Sequence, residues 1–153
     1  MIEVRAERLD SEVAGRLISA LNAELAAAYN DPRANHFGLD PDEVAPGRGA
    51  FLVAYDGEEP VGCGAIRRLD DGTAEIKRMY VAPEQRGRGV GRRVLAALEE
   101  AARRLQAGRI VLETGTLQGR ALALYHSCGY AEIPAYGEYV NSPATSICMA
   151  KAL

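Results

Sequence analysis

The 153-residue chain has no tryptophan, two phenylalanines and two histidines. Aromatic residues make up only 6% of it. A nucleic-acid surface in which stacking rings alternate with basic residues is therefore not expected. The three cysteines, Cys63, Cys128 and Cys148, are far apart and form no CxxC pair. That spacing offers neither a zinc knuckle nor a disulfide framework, and a metal-free protein is expected. Cys63 and Cys128 read as small buried hydrophobes rather than nucleophiles. No apolar run approaches the roughly 20 residues that a membrane-crossing helix needs. Met1-Ile2-Glu3-Val4-Arg5 lacks the basic segment and apolar core of a secretory signal. Charge of one sign is also scarce: 18 Lys and Arg stand against 21 Asp and Glu, a net charge of −3. Neither nucleic acid nor a membrane is expected as a partner, and the simplest location is the cytoplasm.

What is present is the balance of a globular protein, with 48% apolar and 25% charged residues. A chain of this length fits one domain over residues 1–153 and buries on the order of 70% of its unfolded surface.

Ile2 to Glu7 alternates as an amphipathic strand does. Asp10-Ser11-Glu12 opens a helix whose stripe is Val13, Leu17, Leu21, Leu25 and Ala28, and Asn30-Asp31-Pro32 ends it. Asp40-Pro41-Asp42-Glu43 suits a short helix within the irregular 35–49 stretch. Ala50 to Tyr55 and Pro60 to Leu69 flank a hairpin turn, and Thr73 to Val81 is a third consecutive strand. The helix marked by Val90, Val94, Leu98, Ala101 and Leu105 should carry i,i+4 pairs Glu99–Arg103 and Glu100–Arg104, and Gly108 stops it. Arg109 to Thr114 is a strand covered on both faces. Gln118 to Ser127 is a helix, and Tyr130 to Ile133 and Ser146 to Lys151 are two last strands. The step from Thr73–Val81 through a helix to Arg109–Thr114 should be a parallel crossover.

The chemistry-bearing segment is Arg86-Gly87-Arg88-Gly89-Val90-Gly91, between a strand and a helix. A helix start leaves backbone N–H groups unpaired and adds partial positive charge. Glycines let phosphate oxygens approach those groups without a Cβ in the way. Arg86, Arg88, Arg92 and Arg93 can reach anionic oxygens from the side. No Lys follows as a P-loop requires, and the spacing is GxGxG rather than the GxGxxG of a dinucleotide fold. A bare solvated turn and an RNA-contacting loop are the competing readings.

The same six residues match the [QR]xxGx[GA] signature, so the chain resembles the GNAT superfamily of N-acetyltransferases. Tyr80-Val81-Ala82-Pro83 extends the match, and Ala121 to Tyr125 through Gly129-Tyr130 resembles that family's AxxLY…GF segment. The resemblance implies an α/β (α+β) fold: a mixed, mostly antiparallel sheet of about six to seven strands. Helices would cover both faces, and a parallel strand pair would splay at the coenzyme A site. It implies acetyl-CoA as co-substrate, an amine acceptor and transfer by direct attack, with a homodimer as an open partner. A non-catalytic acyl-CoA sensor of the same fold and an enzyme acting on a protein amine are the alternatives.

Amine attack on a thioester needs a proton acceptor for the amine, a donor for the leaving sulfur and hydrogen-bond donors for the oxyanion. By resemblance, Met79, Tyr80 and Val81 flank the pantetheine arm, the Val81 N–H polarises the thioester carbonyl, and Arg86 to Arg92 hold the pyrophosphate. Tyr125 is the expected acid, since a phenol keeps its proton at neutral pH. Glu75, alone in an apolar strand, matches the position of a glutamate base, with Lys77 as its same-face partner in the reading of a merely paired surface glutamate. Gln118 stands where the family commonly has Asn and is expected to touch the cofactor. His36, Arg67, Tyr136 and Tyr139 are the acceptor candidates, with Arg67 as a clamp for an acceptor carboxylate.

Overall fold

The computed structural model describes residues 1–31, 38–142 and 144–153. Seven strands form one sheet: β1 (Ile2–Glu7), β2 (Gly49–Asp56), β3 (Glu59–Asp70), β4 (Thr73–Val81), β5 (Arg109–Gly115), β6 (Ala131–Ile133) and β7 (Ser146–Ala152). Their order across the sheet is β1-β2-β3-β4-β5-β7-β6. All neighbours run antiparallel except β4 and β5, which are parallel and joined through a helix.

Among the described residues three α-helices cover the two faces. On one face lies α1 (Glu12–Tyr29), which buries Ala14, Leu17 and Leu21 against Phe51, Val53 and Tyr55. On the other lies α2 (Val90–Arg104), whose Val94, Leu95 and Leu98 meet Leu52, Ala54 and Ile66. The helix α3 (Gly119–Ser127) packs Tyr125 onto that second core. Alternation along β2 explains the division: Phe51 and Val53 face one helix layer, Leu52 and Ala54 the other. Each leucine held at 1% exposure or less, such as Leu95 and Leu98, contributes about 2 kcal/mol of hydrophobic stabilisation. Among the described residues no helix is long and apolar enough to cross a membrane.

The helix ends differ in a way that matters below. Ser11 caps α1, accepting from the Ala14 N–H at 3.1 Å, and Glu12 sits in its first turn. At α2 the cap residue is Gly89, no side chain caps the helix, and its first turn holds no acid.

Two local expectations give way. Glu99 does not pair with Arg103: its side chain turns inward, accepting from Tyr130 Oη at 2.9 Å and from Lys151 Nζ at 3.1 Å. A stripe read at four-residue spacing ignores that Glu99, one residue past Leu98, lies on the buried face. Glu100 pairs with Arg103 at 3.3 Å, three residues on rather than four.

The feature that opens the sheet is in its middle. The strands β4 and β5 pair from Thr73↔Arg109 to Ile76↔Leu112 and no further, though both continue. Against β3, Lys77 pairs with Ala65 and Tyr80 with Cys63, so three residues of β4 span what two of β3 span. The extra residue falls beside Arg78, whose φ of 58° is left-handed. Such a bulge bends its strand and strengthens its twist. The bend swings the end of β4 away from β5 and leaves a gap between the two.

Candidate active site

The gap holds a cleft of about 540 Å³, in the size range of cofactor sites. Its walls are α1, the end of β4, the start of α2 and α3. Met79, Tyr80, Val81, Arg86, Gly87, Gly89, Val90, Gly91, Arg92, Gln118 and Tyr125 all line it. Residues spread over some 45 positions of sequence thus meet on one surface. Arg88 belongs to the same turn but reaches outward, donating to Gln85 and lying 3.8 Å from Asp56.

At the cradle, Gly87 and Gly89 both have φ of +82°, a conformation that a side chain strains. A Cβ added to either would meet no atom within 4 Å. The glycines thus face open space at an uncapped helix start. Diphosphate oxygens fit this arrangement, since the first N–H groups of α2 point there and the helix dipole favours negative charge. The long slot between β4 and α3 suits an extended arm, lined by Met79, Val81, Ala121 and Leu124.

A second, smaller cavity of about 100 Å³ adjoins the cleft at Met79, Gln118, Ala121 and Tyr125. It continues to Lys77, Arg78, Glu113, Thr114 and Tyr139. Tyr125 is 3% exposed and borders both spaces. Burial, with the Glu113 charge second, holds its phenol above the ordinary value, so it keeps its proton at any working pH. Gln118 accepts from the Gly115 N–H at 3.0 Å through its amide oxygen, which fixes it at the junction.

Glu113 is the residue that the sequence reading passed over. It follows Ile110-Val111-Leu112 at the point where β5 leaves β4. Burial raises the pKa of its carboxyl; the Ser146 hydroxyl works against the rise, the neighbouring Glu75 charge adds to it, and Lys77 opposes it. A carboxyl lifted in this way is a better proton acceptor than an ordinary carboxylate. The available signal was an acid directly after the apolar run Ile110-Val111-Leu112, twelve positions before Tyr125.

Glu75 sits elsewhere. It is fully buried and lines neither cavity. Arg67 donates to its Oε1 from Nε at 2.8 Å, and Tyr136 donates to its Oε2 at 2.5 Å. Lys77, the same-face partner expected from sequence, donates instead to the Gly38 carbonyl at 2.9 Å and to Glu138 at 3.4 Å. Arg67 wins because it lies directly across the antiparallel pair from Glu75. It also pairs with Glu43. Burial lowers the Arg67 pKa, but Glu75 and Glu43 together outweigh that and raise it. Arg67 is thus committed to protein carboxylates and reaches neither cavity.

Tyr139, 2% exposed, borders the smaller cavity, and Tyr136 stands behind it with ring centroids 5.3 Å apart. Burial, then the Glu75 charge, raises the pKa of both phenols. His36 lies outside the described residues. Cys63 is fully buried, and burial pushes its thiol up to about 12, which leaves it inert.

The sequence of residues 16–130 matches the model of the Acetyltransferase (GNAT) family. An "IAA acetyltransferase" of Azospirillum brasilense is 38% identical over 139 residues, covering 90% of this chain and 89% of that protein. A crystal structure from Klebsiella pneumoniae, assigned to the acyl-CoA N-acyltransferases, superposes with a TM-score of 0.84 at 32% identity, covering 100% of this chain and 98% of that one. A GNAT-family acetyltransferase from Elizabethkingia anophelis, solved with acetyl-CoA bound, shares the fold at a TM-score of 0.71 and 18% identity, covering 99% of this chain and 98% of that one.

Proposed function

As the chain belongs to the GNAT acetyltransferase family, we propose that it moves an acetyl group from acetyl-CoA to the primary amine of a small molecule, by direct attack within a ternary complex. The observation that carries this reading is the position of Tyr125, at the junction between a cleft ending in an open glycine cradle and a small cavity holding Glu113. Acetyl-CoA supplies the activated thioester.

The chain's own groups do the rest. The N–H groups at the start of α2 hold the diphosphate, and Arg92 adds charge at the rim. The backbone N–H at Val81 faces the developing oxyanion, where one donor contributes about 10²-fold or more to the rate. Glu113 takes the proton from the incoming ammonium. Tyr125 gives its proton to the departing sulfur and is reprotonated from the nitrogen of the new amide. Glu75 is better suited to positioning than to accepting a proton, because Arg67 and Tyr136 already occupy its oxygens. Tyr139 walls the acceptor cavity. That cavity's size favours a small amine or the tip of a longer one, and the name of the Azospirillum relative supports a small-molecule acceptor.

The test is a panel of amines with acetyl-CoA, followed by release of free thiol. Tyr125→Phe should lower kcat about 10²-fold, the usual weight of a general acid, while CoA affinity stays within twofold. If Tyr125→Phe turned over like the parent on every productive amine, the acid role would fall. If no amine released thiol while CoA bound normally, the chain would be a sensor.

A further inference from the structure

One wall of the cofactor cleft carries the wrong charge for its occupant. Glu24, on α1, lines the same space as the phosphate cradle. A carboxylate there repels a diphosphate unless something neutralises it. Arg86 does so: its Nη2 donates to both oxygens of Glu24, at 2.8 and 2.6 Å. Through Nε the same guanidinium donates to the carbonyl of Val81 at 3.0 Å. Its Cζ also lies 6.0 Å from the Tyr80 ring centroid. One planar fork thereby joins α1, the end of β4 and the first residue of the glycine turn.

We propose that Glu24 and Arg86 form a positioning pair that sets the glycine turn against Val81, and that the diphosphate is held by the backbone N–H groups and not by the Arg86 side chain. This rests on reading the cleft as the coenzyme A site. The reason is electrostatic. For Arg86 to swing onto the phosphates it would have to release Glu24 and leave a carboxylate facing the ligand's own negative charge. Held where it is, the pair is close to neutral. It fixes both the turn that offers the N–H groups and the residue whose N–H faces the thioester. A fork that satisfies a carboxylate and a carbonyl at once is a task for arginine; an ammonium point charge cannot span both.

The proposal makes a counterintuitive prediction. Glu24→Gln removes a negative charge from an anion site, yet it should weaken CoA binding, by about tenfold, as expected when a charge-assisted hydrogen bond is lost. Arg86→Gln should weaken it to a similar degree, and the double variant should be no worse than the weaker single. Arg86→Lys, which keeps the charge, should behave like Arg86→Gln.

Titration calorimetry with free CoA at several salt concentrations reads all of this. A cation that touches phosphate contributes to the salt dependence of binding. Arg92→Gln should therefore flatten that dependence, and Arg86→Gln should not. Melting of each variant without ligand establishes that it is folded. Tighter binding by Glu24→Gln, normal binding by Arg86→Lys, or a flattened salt dependence in Arg86→Gln would each overturn the proposal. Failure of the unaltered protein to bind CoA is a different result: it removes the reading of the cleft, and the proposal with it.

Discussion

Glu113 shows how much one half-buried carboxyl decides. Its folded-state pKa is raised above the ordinary value, chiefly by burial. Between the unfolded and folded pKa values the native protein holds the extra proton, so stability falls as pH rises through that window and stays lower above it. The charged form is nevertheless the one that can accept a proton from the amine. Glu113→Gln should therefore separate the two effects. It should lower kcat/KM about 10²-fold or more, the typical contribution of a general base, and abolish the acidic limb of the pH–rate profile. It should also unfold at higher urea than the parent at pH 8, with the difference shrinking toward pH 4. A variant that kept the acidic limb would return the base role to another group. The sequence showed a lone acid in an apolar strand and made Glu75 that acid, by its match to a glutamate base. Two strands each carry such an acid, and only the partners tell them apart. Arg67 and Tyr136 come to Glu75 from two distant parts of the chain, and Glu43 comes to the same Arg67 from a third. No local spacing encodes that convergence. Nor does spacing reveal that Arg67, expected as a clamp for an acceptor, pairs with Glu75 and Glu43 within the protein.

At the scale of elements the sequence was far more legible. The bounds of β1, read from alternation, and of β4, read as the strand after a turn signal, coincide with those expected, and the remaining strands agree to within a residue or so at each end. Alternation and caps are local signals, so they survive without tertiary knowledge. The bulge at Arg78 was not legible, because a positive φ on an arginine leaves no mark in composition. Yet the bulge is what separates β4 from β5 and creates the cleft. The glycine turn before α2 was legible, since glycine at a helix start is itself the mark. Gly89→Ala tests it. The residue would have to hold φ near +82°, at a cost of about 1–2 kcal/mol for an L side chain. Its methyl would also point into the cradle, which is empty of protein atoms. Urea unfolding should show a loss of that size with an unchanged slope. Calorimetry should show CoA binding weakened at least tenfold. Loss of stability with full CoA affinity would mean that the turn serves only the fold.

For the whole molecule, the cleft is a place where the fold withholds stability. A continuous β4–β5 ladder would bury its backbone in paired hydrogen bonds; here the last residues of both strands part, and α1, α2 and α3 are drawn together only around a slot. A ligand that fills the slot touches all of these elements at once, and it can do so only in the folded state. Mass action then fixes the effect: with free CoA at 100 times its Kd, unfolding should cost about 2.7 kcal/mol more than without it. For a chain of this size that corresponds to a rise in Tm of about 5–10 °C. The rise should grow with the logarithm of CoA concentration. It should shrink in Gly89→Ala and in Glu24→Gln by the amount that each loses in affinity, because both act on the ligand through the same turn. Thermal melts over a CoA series for the three proteins check this. A stabilisation that did not track affinity across them would mean that CoA grips some other surface, and that the opening between β4 and β5 is filled by something else.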